Sequence, residues 1–210
     1  MSSYLFDFDG TLVDSMPTYG SVMKRILDEN GIGYGDDIIK IITPLGFRGT
    51  AQYYVDVMGV KKSVESLMAT MVAYCTEEYT YRIGEKPNVI ATLNALKARG
   101  DDLHVLTASP HTSLDPCLKR LGIYGLFDNV WSCDDFGTTK ADPEIYKMAA
   151  ARIGRCVEDV IFLDDNLGAD KTAKLAGMTV YGVYDASSAE YADEMKALCD
   201  RYVYDLSELL

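Results

Sequence analysis

The sequence predicts an α/β fold, a parallel sheet flanked by helices and carrying an all-helical insert, and three observations predict it. Short apolar runs recur along the chain, helical segments lie between most of them, and one stretch of roughly 70 residues after the first run shows helical patterning only.

Residues 4–8, 103–106, 129–131, 160–163 and 179–183 are rich in β-branched or aromatic side chains and too short for an ordinary helix, so each reads as a buried strand. Between the first two, residues 89–99 place Val89, Leu93 and Leu96 on one helical face and stop before Gly100. Residues 115–121, 143–153 and 168–176 stop in the same way before Gly122, Gly154 and Gly177. Glycine just past a helix end is the expected punctuation, because it takes the left-handed conformation without a Cβ clash. Strands alternating with helices imply a Rossmann-like parallel sheet covered on both faces. From 15 to 84 no core strand is visible. Residues 17–30 line up Val22, Met23, Ile26 and Leu27, shorter pieces follow, and residues 63–81 complete the block. The expectation is a sheet domain of residues 1–14 and 86–210, a helical domain of residues 15–85 with its own core, and hinges at 12–16 and 83–87.

Charge and composition narrow the function. Twenty Lys and Arg against 32 Asp and Glu give a net charge of −12, which argues against a nucleic-acid partner, since that affinity rests on basic residues neutralising phosphates. No run approaches the ~20 apolar residues of a membrane span, and the first residues lack the basic-then-apolar pattern of a secretory signal. Cys75, Cys117, Cys133, Cys156 and Cys199 are odd in number and widely spaced, as expected of reduced thiols in a cytoplasmic protein. Only His104 and His111 are present, which weighs against a His-rich metal site or a Ser-His-Asp triad. His104 is expected within the core or at a sheet edge and His111 in a loop. With 48% hydrophobic residues the chain should bury a substantial core, as a monomer, a dimer being the alternative.

In a parallel α/β sheet, ligands bind beyond the carboxyl ends of the strands. The first strand is followed by Asp7-Phe8-Asp9-Gly10-Thr11-Leu12, the second by Thr107-Ala108-Ser109 and the fourth by Asp164-Asp165-Asn166, while Lys140 precedes the 143–153 helix. An Asp within Tyr-Leu-Phe-Asp-Phe would bury a charge without a partner unless it works there. Ionised at neutral pH, Asp7 offers an oxygen able to attack phosphorus. Asp9, two residues on in an extended chain, points the same way and is suited to protonate a leaving group.

These motifs in this order resemble the haloacid dehalogenase (HAD) superfamily, in its phosphoglycolate phosphatase and β-phosphoglucomutase-like branch. The resemblance covers the whole chain: the Asp-x-Asp-Gly-Thr-Leu opening, a helical cap next, a Thr ending the second strand, Lys140-Ala141-Asp142-Pro143, and a late acidic pair. It implies the HAD fold and a phosphatase acting on a small phosphorylated metabolite through an aspartyl-phosphate. Asp7 would be the nucleophile, Asp9 the general acid and base, and Thr107 with Lys140 would hold the phosphoryl group beside Ala108 and Ser109. Charge counting adds a cofactor, because four acids and a phosphate face one lysine, and an all-oxygen donor set suits Mg²⁺. The resemblance assigns that ion to Asp7, the backbone carbonyl of Asp9, and Asp165, with Asp164 as a further ligand. Many relatives have Gly-Asp-x-x-x-Asp at the late motif; here Ala169 stands at the last of those positions and Asp164 at the first, as in the mutase branch. Asp170 then reads as a helix N-terminal charge.

The cap should choose the substrate. Residues 44–49 read as a loop with Arg48 able to grip an anion, against the alternative of a solvated Arg in a helix turn. Site motifs leave a mutase open, and a phosphonatase using Lys40, Lys61 or Lys62 is a weaker alternative. From another class comes a non-catalytic phosphate-sensing module, against which Asp9 argues, since binding alone needs no general acid.

Overall fold

The computed structural model describes residues 2–210; Met1, counted in the expected sheet domain, lies outside them, as does the side chain of Pro44. In chain order the elements are β1 (Ser3–Phe6), α1 (Met16–Glu29), α2 (Ile38–Ile42), α3 (Gly46–Asp56), α4 (Val64–Tyr81), α5 (Val89–Arg99), β2 (Asp102–Thr107), α6 (His111–Arg120), β3 (Asn129–Ser132), α7 (Glu144–Ile153), β4 (Val160–Asp164), α8 (Leu167–Ala176), β5 (Thr179–Val183), α9 (Ala192–Leu198) and β6 (Arg201–Val203). The chain divides into two compact units, Met1–Ser15 with Ile83–Leu210, and Met16–Arg82.

In the first unit the described strands form one parallel sheet in the order β3-β2-β1-β4-β5-β6. The predicted α/β class is therefore the observed one, with a strand more than expected. Strand β6 escaped the sequence reading because it is three residues long, opens on a charged Arg and lies at the sheet edge, where a continuous apolar run is not required. Leu5, Leu106, Phe162 and Val180 from the central strands pack on Ile145, Tyr146, Ala149 and Ala173 of α7 and α8. The order reverses at β1, between β2 and β4, and that switch is where parallel sheets open a crevice beyond their carboxyl ends. Phe6 pairs with Leu163 and Val105, and the Asp7 N–H donates to the Leu163 carbonyl at 2.8 Å. Register alone thus brings Asp7 beside Asp164.

Helix α6 begins four residues earlier than expected, at His111 after Pro110. Pro116 inside the helix costs a backbone hydrogen bond but does not end it. His111 is consequently a helix residue and not a loop residue. Its Nδ1 lies 2.7 Å from Asp115 and its Nε2 2.8 Å from Asp135, which also accepts from the Ser132 N–H at 2.9 Å. The hydrogen bond to Asp115, then that to Asp135, holds the imidazolium above its ordinary pKa. A histidine raised in the folded state stabilises fully below its unfolded pKa of about 6.5 and ceases to do so as pH rises through the folded value. His111→Asn should therefore lower the melting temperature at pH 5.5 and make no difference at pH 9, a contrast that calorimetry at the two pH values checks.

The second unit is helical throughout its regular elements. Val22, Met23, Ile26 and Leu27 of α1 pack with Ile42, Ala51, Tyr54, Leu67 and Met71. The Tyr54 hydroxyl donates to the Met23 carbonyl at 3.0 Å, and Ser63 caps α4 by accepting from the Ser66 N–H at 3.1 Å. Residues 44–49 are not a loop. They span the end of a 3₁₀ turn, Thr43–Leu45, and the start of α3, with Gly46 at φ +62° turning the chain between them. Phe47 stacks on Tyr19 at 6.0 Å, so its ring is spent on packing, while Arg48 is exposed on the first turn of α3.

The chain leaves and re-enters the first unit through segments that bond to each other. Asp14 N–H donates to the Gly84 carbonyl and Lys86 N–H to the Leu12 carbonyl, each at 3.0 Å, and Val13 bridges Glu85 in antiparallel fashion.

Candidate active site

Strand β1 ends at Phe6; Asp7 still bonds to β4 through its N–H, and the chain then turns from Phe8 onward instead of continuing the strand to Phe8 as expected. Gly10 makes that turn possible. It sits at φ +74°, and a Cβ there would overlap the Asp165 carboxylate, so both its conformation and its closeness to Asp165 require glycine. The turn is fastened by Thr11, whose hydroxyl donates to Asp165 at 3.1 Å.

Beyond the carboxyl ends of β1, β2 and β4 lies a cavity of about 520 Å³ lined by Asp7, Asp9, Thr107, Ala108, Lys140, Asp164 and Asn166 among others. Asp7, Asp164 and Asp165 are all buried, and each offers one carboxylate oxygen within 4.8 Å of the others. Lys140, nearly buried, forms ion pairs with Asp7 and, at 2.8 Å, with Asp164, its ammonium 5.5 Å from the centre of the Phe162 ring. Burial alone would lower its pKa; Asp164 and Asp7 overcome that and hold it charged well above the usual lysine range. The acids bear the opposite strain. Burial and then Asp164 push the Asp7 carboxyl far above its ordinary value, and burial with Asp164 pushes Asp165 to about 7. Three hard oxygen donors gathered this closely form a set that a divalent cation fits.

Asp9 stands apart from that set. Its Oδ1 accepts from the Ser15 hydroxyl at 2.6 Å and its Oδ2 from the Ser109 hydroxyl at 2.5 Å. Ser109 is therefore occupied in holding Asp9. Thr107, buried at the end of β2, accepts from the Ser109 N–H at 3.0 Å and shapes that loop, with Ala108 beside it on the cavity wall. Asn166 caps α8 by accepting from Gly168 and Ala169 N–H groups at 2.9 and 3.1 Å. The structure brings Asp7, Asp9, Thr107, Ala108, Lys140 and Asp164 around one cavity, with Asp165 against Asp7 and Asp164. Arg48 belongs to the helical unit.

The model of the haloacid dehalogenase-like hydrolases matches residues 4–183. The chain belongs to this family. Among its relatives, a phosphorylated carbohydrates phosphatase of Thermotoga maritima is 27% identical over 87% of this chain and 85% of its own. A phosphoglycolate phosphatase of Salmonella choleraesuis is 28% identical over 85% of this chain and 79% of its own. The crystal structure of a candidate β-phosphoglucomutase from Thermotoga maritima superposes with a TM-score of 0.86 at 25% identity, covering 100% of this chain and 97% of that one. The HAD-like fold expected from the motifs is thus the fold observed. Among the described residues no helix is long and apolar enough to cross a membrane.

Asp170 stands in the first turn of α8, near the helix N-terminus as expected, but it is fully buried, accepts from the Cys199 thiol at 3.2 Å, and is raised to about 8 by burial and then by Asp164. An N-terminal position says nothing of which face a residue occupies, and α8 turns this one toward the core. Ser15, which holds Asp9, was missed, and its trace in the sequence is a hydroxyl six residues after Asp9 at the mouth of the insert.

Proposed function

We propose that the protein is a Mg²⁺-dependent phosphatase that hydrolyses a small phosphorylated metabolite through an aspartyl-phosphate, in the manner of phosphoglycolate phosphatases. The observation that carries this reading is one cavity holding Asp7 paired to Lys140, with Asp9 two residues away under two serine hydroxyls. An Asp7 oxygen attacks phosphorus as the ester oxygen leaves, giving the acyl phosphate and an alcohol. Asp9 in its protonated form gives that oxygen its proton, and as a carboxylate takes one from the water that attacks the aspartyl-phosphate, which restores Asp7 and releases phosphate. Lys140 and the loop from Thr107 to Ser109 hold the phosphoryl oxygens and offset their charge. Asp7, Asp164, Asp165 and the carbonyl of Asp9 would hold the Mg²⁺, which supplies charge neutralisation at the phosphoryl group. Arg48 is proposed to meet the substrate's anionic end.

The test is p-nitrophenyl phosphate turnover before and after chelation of divalent ions. Chelation should abolish turnover, leave the far-ultraviolet circular dichroism unchanged, and be reversed by added Mg²⁺. Undiminished turnover in excess chelator refutes the metal requirement.

A mutase is the second reading, favoured by the adjacent acids Asp164 and Asp165 and by the likeness to the Thermotoga structure. Incubation with β-glucose 1-phosphate separates the two. Free phosphate supports the hydrolase, and glucose 6-phosphate with little phosphate supports the mutase.

A further inference from the structure

A second lysine reaches the turn that follows β1. The Lys86 ammonium donates to the Gly10 carbonyl at 2.5 Å, the Tyr184 carbonyl at 2.7 Å and Asp185 Oδ2 at 2.9 Å. An ammonium has three protons, so every donor is spent, and the three acceptors come from two loops remote in sequence. The pair is well shielded, with the Lys86 side chain 15% and the Asp185 side chain 7% exposed. Asp185 is itself fixed, because its Oδ1 accepts from both the N–H and the hydroxyl of Ser187 at 2.9 and 2.7 Å.

What Lys86 grips matters more than how well it is satisfied. Its hold on the Gly10 carbonyl sets the peptide joining Gly10 to Thr11. That peptide leads straight to the Thr11 hydroxyl on Asp165, and Gly10 lies against the same carboxylate. The Lys86 backbone meanwhile bonds to Leu12, so the residue fastens both ends of the segment Gly10 to Leu12. A buried cation spent only on anchoring a linker could have used any carbonyl. This one holds the turn that carries the Asp9 carbonyl into Gly10 and presses on a carboxylate of the acidic cluster.

We propose that Lys86, braced by Asp185, is a positioning residue for the divalent-cation site, fixing the Gly10–Thr11 turn against Asp165 so that the Asp7, Asp164 and Asp165 oxygens stay within reach of one ion. The inference rests on the metal-dependent reading above. Its test is Mn²⁺ binding to the metal-free protein, followed by the electron paramagnetic resonance signal of free Mn²⁺, a measurement that needs no substrate. Lys86→Met keeps the apolar stem and removes the donors; it should weaken Mn²⁺ binding about tenfold or more, the scale of a lost charge-assisted hydrogen bond. Asp185→Asn should weaken it about threefold, and the double variant should match Lys86→Met because Asp185 acts through Lys86. Affinity within twofold of wild type in Lys86→Met overturns the proposal; if that variant does not fold, unchanged affinity in Asp185→Asn does the same. Wild-type protein that binds no Mn²⁺ overturns the metal-dependent reading itself, whereas wild-type binding that both variants retain removes only the role of Lys86.

Discussion

Asp7→Asn should reduce Mg²⁺-dependent turnover of p-nitrophenyl phosphate by about 10⁴-fold or more, the scale at which loss of a nucleophile leaves only binding and electrostatics to act. The variant amide still occupies the same volume and can still accept from Lys140. It has no carboxylate oxygen with which to form the acyl phosphate. The same substitution should not damage the fold. Asp7 is buried, and desolvation with the Asp164 charge already holds its carboxyl far above the ordinary range, so ionising it at neutral pH costs stability. An acid raised in the folded state takes from stability as pH climbs past its unfolded pKa of about 3.9, and an amide removes that cost. The melting temperature at pH 7.5 should therefore be equal to or above that of wild type. Lost activity in a protein of undiminished stability separates a reacting group from a packing group. Full Mg²⁺-dependent turnover in Asp7→Asn would refute the aspartyl-phosphate mechanism.

The sheet and the site differ in how much of them the sequence carries. The central strands are legible because a strand covered on both faces must be apolar along its length, as Tyr4, Leu5 and Phe6 are. The edge strand β6 is not, since Arg201 and Tyr202 need bury little. Asp7, Asp164 and Asp165 are legible for a related reason: each stands where an apolar strand gives out, and a charge there is costly unless used, whereas Lys140, in the turn before α7, is legible only through the resemblance that its place before Ala141-Asp142-Pro143 carries. Lys86 offers no such anomaly. A lysine before Pro87 reads as a solvated linker residue, and only its hydrogen bonds to the Gly10 and Tyr184 carbonyls, remote in sequence, reveal that its ammonium is enclosed. Asp170 was legible in its position but not in its burial. Its place in the first turn of α8 fits a favourable dipole contact, but helical position alone does not tell the face turned to Cys199 from the face turned to water.

Lys140→Met should destabilise the first unit strongly, and its effect should depend on pH and on Mg²⁺. Methionine keeps an apolar stem near Phe162 and so isolates the charge from the packing. Lys140 is the cation between Asp7 and Asp164, both buried, and removing one partner of a buried ion pair costs about 3–5 kcal/mol because the remaining charge is left unpaired. For a chain of this size that corresponds to a fall in melting temperature of roughly 6–20 °C at pH 7.5. Asp7, left without that cation, is pushed higher still, so the folded variant takes up a proton as pH falls, and the deficit against wild type should narrow by pH 5. Mg²⁺ held as proposed would bring positive charge back to the same oxygens, and at pH 7.5 it should raise the melting temperature of Lys140→Met more than that of wild type. Turnover should fall by about 10²–10³-fold even at saturating Mg²⁺, since the ion would replace the charge but not the donor that Lys140 is proposed to offer the phosphoryl oxygens. A variant within 2 °C of wild type, by the same ~2–4 °C per kcal/mol conversion, would mean that Lys140 is not the counter-charge that keeps three buried carboxylates together.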